Sequence, residues 1–281
     1  MSDIKKISGS EAVVKCLIAE GVDIIYGYPG GAIMPVYDEL YKYEDKIHHV
    51  LTRHEQGATH SAQGFARISG KVGVAIATSG PGATNLVTGL ADAQIDSTPM
   101  VCITGQVASN LLGSDAFQET DIVGISTPVT KWNHQVTKAS DIPKVLAKAF
   151  YIAKSGRPGP VLIDITKDAQ FEMFDFKYSK VTGIRSYKPF PKLDISNLSL
   201  AADLINNALK PLIVWGQGVI LSEAEKEFKD FVEKTGIPAA WTIMGVSAIP
   251  TSHPLNVGMV GMHGNYAPNM LTNECDLLIA I

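Results

Sequence analysis

From residue 9 to about residue 170 the chain repeats one pattern: an amphipathic stretch of helical spacing, a Gly or Pro break, then a short β-branched run. Helical periodicity over 9–20, 34–43, 56–68, 83–94 and 139–155 alternates with strand-like runs at 22–26, 49–53, 73–78, 100–105 and 161–165. Strands joined through helices run parallel, and a parallel sheet is buried on both faces, so the pattern predicts a doubly wound α/β domain. That domain is expected to span residues 1–170.

The apolar rhythm dissolves over 171–193 into aromatic, Lys and Pro residues, which reads as an extended linker. A second α/β pattern follows over 194–281, with helices at 195–208 and 222–235, strands at 212–216 and 238–242, a helical stretch at 265–273 and a last apolar run at 276–281. Such a run reads as a buried parallel strand. The expectation is therefore a Rossmann-like middle domain cut at its carboxyl end.

Composition narrows the function. A chain of 281 residues with 46% hydrophobic and 19% charged residues can bury a sizeable core. Its formal net charge of −4, with no basic run longer than Lys5-Lys6, offers nucleic acid or an anionic membrane no electrostatic footprint. The three cysteines, Cys16, Cys102 and Cys275, stand far apart in apolar segments and are expected to be buried and reduced. No stretch is long and apolar enough for a membrane span or a signal peptide, so the reading is a cytoplasmic protein acting on small molecules.

Three junctions carry the chemistry. Gly27-Tyr-Pro-Gly-Gly31 follows a strand, Arg53-His-Glu55 ends another, and Thr78-Ser-Gly-Pro-Gly-Ala-Thr-Asn85 follows a third. Each lies at a strand's carboxyl end, where open α/β sheets bind ligands. The glycines let a ligand approach the backbone, but Gly27–Gly31 does not fit the dinucleotide fingerprint and 78–85 lacks the Lys of a P-loop. Glu55 taken alone could be a helix-start acid favoured by the positive end of the helix.

Together, in this order, these segments resemble the pyrimidine-binding domain of thiamine-diphosphate enzymes, and most closely the acetolactate synthase (acetohydroxyacid synthase) family. The resemblance implies that Glu55 hydrogen-bonds a ring nitrogen of the aminopyrimidine and relays a proton. It implies that Tyr28, Pro29, Gly30 and Gly31 line the reaction centre, and that Gly80 and Asn85 flank the pyrimidine. Phe117 and Gln118, in Asp115-Ala-Phe-Gln-Glu119, are expected to face that centre; a buried Phe117 anchoring the loop, with Gln118 solvated, is equally compatible with the residues. Lys167, after Val161-Leu-Ile-Asp-Ile-Thr166, would line the approach of a 2-ketoacid carboxylate, or else stand solvated at a strand end.

The same resemblance assigns FAD to Arg157, which otherwise passes for a surface turn, and to Gly216 and Gly218, Thr242, Ile243 and Met244, and Met262, His263 and Gly264 of the middle domain. Trp215 and Trp241 depart from the family pattern and are expected at the edge of that pocket. Magnesium would be held by residues outside this chain. The implied activity is condensation of pyruvate with pyruvate or 2-ketobutyrate for branched-chain amino acid synthesis, by a homodimer or larger assembly with a small regulatory subunit. These 281 residues by themselves are expected to be inactive. A flavin-using pyruvate oxidase, an FAD-free catabolic acetolactate synthase and a non-catalytic dimerisation fragment are the alternatives.

Overall fold

The alternating pattern closes into two separate parallel sheets. The structure is a computed structural model describing residues 6–281, and it divides into two compact units, the first ending at Pro191 and the second running Lys192–Ile281. Strands of the first unit are β1 (Lys6–Ser8), β2 (Ile24–Gly27), β3 (His48–Leu51), β4 (Gly73–Ala77), β5 (Met100–Gln106), β6 (Trp132–Val136), β7 (Pro160–Thr166) and β8 (Met173–Asp175). Six of them form an all-parallel sheet in the order β3-β2-β4-β5-β7-β6. Every residue of β4, β5 and β7 is buried, which is why these segments are predominantly apolar.

Helices cover both faces. Gly9–Ala19 and Ile142–Lys154 pack Val13, Leu17, Leu146 and Phe150 against Val101, Ile103, Val161 and Ile163. On the other face, Glu55–Ser69 and Val87–Ile95 pack Ala58, Ala62 and Leu90 against Ala75, Cys102 and Leu162. Each fully buried Leu or Phe stabilises the fold by roughly 1.5–3 kcal/mol. The long helix ends where sequence logic puts it: Gly70 takes the left-handed conformation at φ 69°, and its amide closes on the Ala66 carbonyl.

Strand order creates the ligand crevice. From β2 the chain passes outward to β3, whereas from β4 it passes the opposite way to β5, so the loops after β2 and β4 diverge from adjacent strands. A gap opens there at the carboxyl edge of the sheet, and ligands of open α/β sheets bind at such a switch point.

Several elements differ from the pattern expected. The helix read over 83–94 is divided into Pro81–Thr84 and Val87–Ile95, with the Leu86 amide reaching back only three residues to Ala83. β6 was not anticipated, because Trp-Asn-His-Gln-Val is largely polar; it is an edge strand, which tolerates such a sequence. The stretch read as a linker is mostly part of the first unit. β8 pairs antiparallel with β1, and Phe174, Phe176, Tyr178 and Ile184 pack on the first core. Tyr187 donates to the Ser155 carbonyl at 2.9 Å. Phe174, Phe176, Tyr178 and Tyr187 are thus anchors, whereas Phe171 and Phe190 are exposed.

The second unit holds β9 (Pro211–Trp215), β10 (Ala239–Trp241), β11 (Asn256–Met259) and β12 (Leu277–Ala280), all parallel in the order β11-β10-β9-β12. Helix Glu225–Thr235 buries Phe228 and Val232 against Ile213 and Trp215. β11 overlaps a stretch read as loop, since Gly258, at φ 107°, breaks its pattern.

Cys16 and Cys102 are buried, and burial pushes both thiols well above the usual range; Cys275 is half-buried, and none of the three is paired. No helix among the described residues is long and apolar enough to cross a membrane.

Candidate active site

The site begins with how Glu55 is held. It is the first residue of its helix and only 8% exposed. The helix-start amide of Gln56 is capped at 3.1 Å by His54 Nδ1, so capping does not require the Glu55 carboxylate. Instead Asn85 Nδ2 donates to Glu55 Oε2 at 3.0 Å, and Oε1 lies over Gly82, where an added Cβ would stand 3.2 Å away. Among the described residues Oε1 takes no hydrogen bond. A nearly buried carboxylate with one oxygen fixed and the other open is arranged to meet a donor on a ligand.

The loop after β2 is locked onto the loop after β4. A Cβ on Gly30 would fall 2.5 Å from Thr78 Cβ, and Ala32 N donates to Thr78 Oγ1 at 3.2 Å. Gln170 Nε2 donates to the Ala32 carbonyl at 2.8 Å, tying the same loop to the end of β7. Tyr28 and Pro29 are exposed beside it, and Gly31 has open space where a side chain would project.

Gly80 supplies the next contact. Its φ of 56° is in the left-handed region, and a Cβ there would come within 2.6 Å of the Gln118 carbonyl oxygen. The 113–119 loop therefore abuts the switch-point turn through its backbone. Its shape comes from Glu119, whose carboxylate accepts from Gly113 N and, at 3.0 Å, from Ala116 N; these amides hold its carboxyl below the usual carboxylate range. Asp115 and Gln118 both take positive φ in this tight turn. Phe117 is 87% exposed, so the reading of it as a buried anchor does not hold, and the Gln118 side chain is exposed as well.

Lys167 is exposed at the carboxyl end of β7, on the same edge of the sheet. Its neighbour Asp168 accepts from Ser109 N at 2.9 Å and Ser109 Oγ at 2.5 Å, which fixes the chain leaving β5. Arg157 lies elsewhere: it precedes β7, at the opposite edge of the sheet from Glu55, and donates to Ser97 Oγ at 2.7 Å and the Ile95 carbonyl at 2.9 Å. The first unit thus brings together Tyr28–Gly31, Glu55, Gly80, Asn85 and Gln118, but not Arg157.

In the second unit Gly216, Thr242 and the 260–264 loop follow β9, β10 and β11, three adjacent parallel strands, at their carboxyl ends. Gly218 and Gly261 have open space in place of a side chain, and Ile243, Met262 and His263 are exposed. Two asparagines that sequence reasoning missed shape this edge. Asn265 Oδ1 accepts from Met259 N at 3.0 Å, and Asn269 both accepts from Gly261 N and donates to Gly261 O. Their only sequence signal is the i, i+4 spacing beside a Gly-rich turn. Trp215, expected at the pocket edge, points instead into the core: it is fully buried, its ring lies 5.2 Å from that of Phe228, and its Nε1 donates to the Gly245 carbonyl at 2.8 Å. Strand alternation turns that position inward. Trp241 is likewise partly buried against the same core.

Sequence reasoning also missed a buried carboxylate. Asp164, fully buried in β7, accepts from Thr104 Oγ1 at 2.6 Å, Gln135 Nε2 at 2.9 Å and Gln106 Nε2 at 3.2 Å. Burial pushes its carboxyl up to about 6 against these donors, with Asp121 adding to the rise. A folded value above the unfolded one favours the protonated fold, so this group's contribution is complete below about pH 4 and is lost as pH rises through about 6. The expected size is on the order of 3 kcal/mol. Urea titrations from pH 4.5 to 7 should show that loss in the parent and a flatter profile in Asp164→Asn; parallel profiles would refute the assignment.

With this geometry in view, the chain matches two protein-family models: the thiamine pyrophosphate enzyme N-terminal TPP binding domain over residues 7–125, and the thiamine pyrophosphate enzyme central domain over residues 198–281. The chain belongs to the thiamine pyrophosphate enzyme family. It is 51% identical over 277 residues to the acetolactate synthase large subunit of Corynebacterium glutamicum, covering 99% of this chain and 44% of that protein. It is 49% identical over 278 residues to a probable acetolactate synthase large subunit of Methanocaldococcus jannaschii (98% and 47%), and 46% identical over 276 residues to the large subunit of Lactococcus lactis (98% and 48%). The chain therefore spans about half the length of the curated relatives it matches. As a thiamine pyrophosphate enzyme it carries the N-terminal cofactor-binding domain, and the Glu55 cluster lies within the residues that this model matches.

Proposed function

We propose that the chain is part of the catalytic subunit of an acetolactate synthase, which condenses pyruvate with a second pyruvate or with 2-ketobutyrate. The observation that carries this reading is the Glu55 carboxylate, nearly buried, with Oε2 held by Asn85 and Oε1 open over Gly82. That arrangement fits thiamine diphosphate, whose aminopyrimidine presents ring nitrogens to such an acid. When bound, the cofactor supplies the nucleophilic carbon that attacks a 2-ketoacid carbonyl, while the protein orients it and tunes its electronics.

Glu55 would hold a proton at its open oxygen and pass it to and from the ring nitrogen. Asn85 keeps the carboxylate from turning away. Gly82 leaves room beside Oε1, and the Gly30–Thr78 contact fixes the floor on which Tyr28, Pro29 and Gly31 face the reacting atoms. Gln118 would present its amide to the substrate, with Phe117 shielding that side from water. Lys167 would offer a cation to the 2-ketoacid carboxylate. No group of three or more His, Cys, Asp or Glu side chains among the described residues is placed to hold a metal ion, and we assign no magnesium ligand here.

The second unit would hold FAD along the carboxyl edge of β9, β10 and β11, with Gly216, Gly218, Thr242, Ile243, Met244, Met262, His263 and Gly264 against it. The open space at Gly218 and Gly261 supports that placement. Relatives named as large subunits support a small regulatory subunit as partner, and a homodimer or larger assembly and a cytoplasmic setting accord with the same reading.

Product analysis is the test, using a protein of the relatives' full length that contains these residues, supplied in aerated phosphate buffer with pyruvate, thiamine diphosphate, Mg2+ and FAD. Acetolactate with bound flavin supports the proposal. Acetyl phosphate would indicate a flavin-dependent pyruvate oxidase, and acetolactate from a flavin-free protein the catabolic enzyme; either product pattern excludes the assignment.

A further inference from the structure

Asp164 is an expensive residue for its position. It sits in register between Thr104 of β5 and Gln135 of β6, on the sheet face that carries Leu162 and Cys102, where an aliphatic side chain would pack without cost. What a carboxylate brings there is polarity of one sign: it accepts and does not donate. Gln106, two residues beyond Thr104 on the same face, is oriented by that property. Its Oε1 accepts from Val107 N at 2.9 Å, and its Nε2 is shared between Asp164 Oδ2 at 3.2 Å and the Thr120 carbonyl at 2.9 Å. Turning the amide over would set its oxygen against two acceptors and its nitrogen against a donor. The Gln106 to Thr120 bond is therefore enforced from inside the sheet.

Thr120 is the foot of the loop that reaches the switch point. Glu119, its neighbour, gathers the amides of Gly113 and Ala116, and Gln118, at φ 58°, lays its carbonyl against Gly80. We propose that Asp164 is a positioning residue: by fixing the Gln106 amide it fixes Thr120, and through it the 113–119 loop that places Phe117 and Gln118 beside Gly80. The hold on the loop stands on the fold alone, whereas its bearing on catalysis rests on the function proposed above.

Hydrogen exchange at neutral pH on the full chain tests the hold, read at the bonded amides of Gly113, Ala116 and Glu119. Asp164→Leu removes the acceptor beside the Gln106 amide, and Gln106→Leu removes the link itself; each is expected to speed exchange at these amides about tenfold, the loss of one hydrogen bond to a charged or buried partner. Thr104→Val takes a different donor from Asp164 but leaves the Gln106 bonds in place, so it should lower the melting temperature without that local change. Unchanged loop exchange in Gln106→Leu, or an equal rise in Thr104→Val, would overturn the proposal, and neither reading requires Asp164→Leu to fold. In the full-length enzyme both loop-releasing variants should lower kcat more than they raise KM. Faster exchange with kcat unchanged would leave the hold intact and remove its catalytic role.

Discussion

Replacing Glu55 by Gln in a full-length enzyme is expected to cut acetolactate formation by about 10²–10⁴-fold, the range typical of losing a positioned acid–base group. The substitution is nearly isosteric, and the new side chain can still offer its carbonyl oxygen to Asn85 Nδ2. Helix initiation is untouched because His54 supplies the cap. Stability should accordingly stay within about 0.5 kcal/mol of the parent, as for changes that remove no core contact. What changes is the open side: an amide cannot shuttle a proton to a ring nitrogen. Steady-state kinetics with a parallel thermal melt separate the two effects. Activity within threefold of the parent, at saturating cofactor, would remove Glu55 from the mechanism.

The second large effect is expected at Gly80, and it should appear in stability before it appears in kinetics. Gly80→Ala puts a methyl group 2.6 Å from the Gln118 carbonyl oxygen and forces an L-residue to φ 56°, ψ −122°. Neither neighbour is a flexible side-chain tip, so backbone must shift on both sides. Strain of this kind costs about 1–3 kcal/mol, and the displaced 113–119 loop adds to it, giving roughly 2–4 kcal/mol in all. Chemical denaturation of the first unit measures it. A loss under 0.5 kcal/mol would show that the turn and the loop are not in the contact described. Gly31→Ala is the matched control, since open space surrounds that position.

Much of this architecture is legible in the residues, and for a definite reason. β4, β5 and β7 are buried on both faces, so selection for packing leaves a predominantly apolar run that can be read without a structure. β6 and β11 were illegible because neither is under that constraint: one is an edge strand with Asn, His and Gln, and the other turns at Gly258. The antiparallel pairing of β1 with β8 joins residues near 7 and 174, a separation that no local pattern encodes. At the site, the order of the Gly27–Gly31, Glu55 and Gly80–Asn85 segments was readable from residue type and spacing. The roles of Gly82, Thr78 and Glu119 were not, because each acts through a contact with a residue distant in the chain or through loop amides with no signature of their own. Trp215 shows the opposite failure: a bulky residue next to a glycine turn suggested a pocket wall, yet the strand's alternation aims it inward.

The uneven exposure of the three cysteines gives the molecule a built-in count of its own folding. Buried Cys16 and Cys102 are held as neutral thiols in the first unit, while half-buried Cys275 belongs to the second. Attack requires the thiolate and access to it. A colorimetric thiol reagent should therefore titrate one equivalent per native chain and three after denaturation. Three equivalents at a denaturant concentration that leaves the second unit folded would reveal that the first unit opens first.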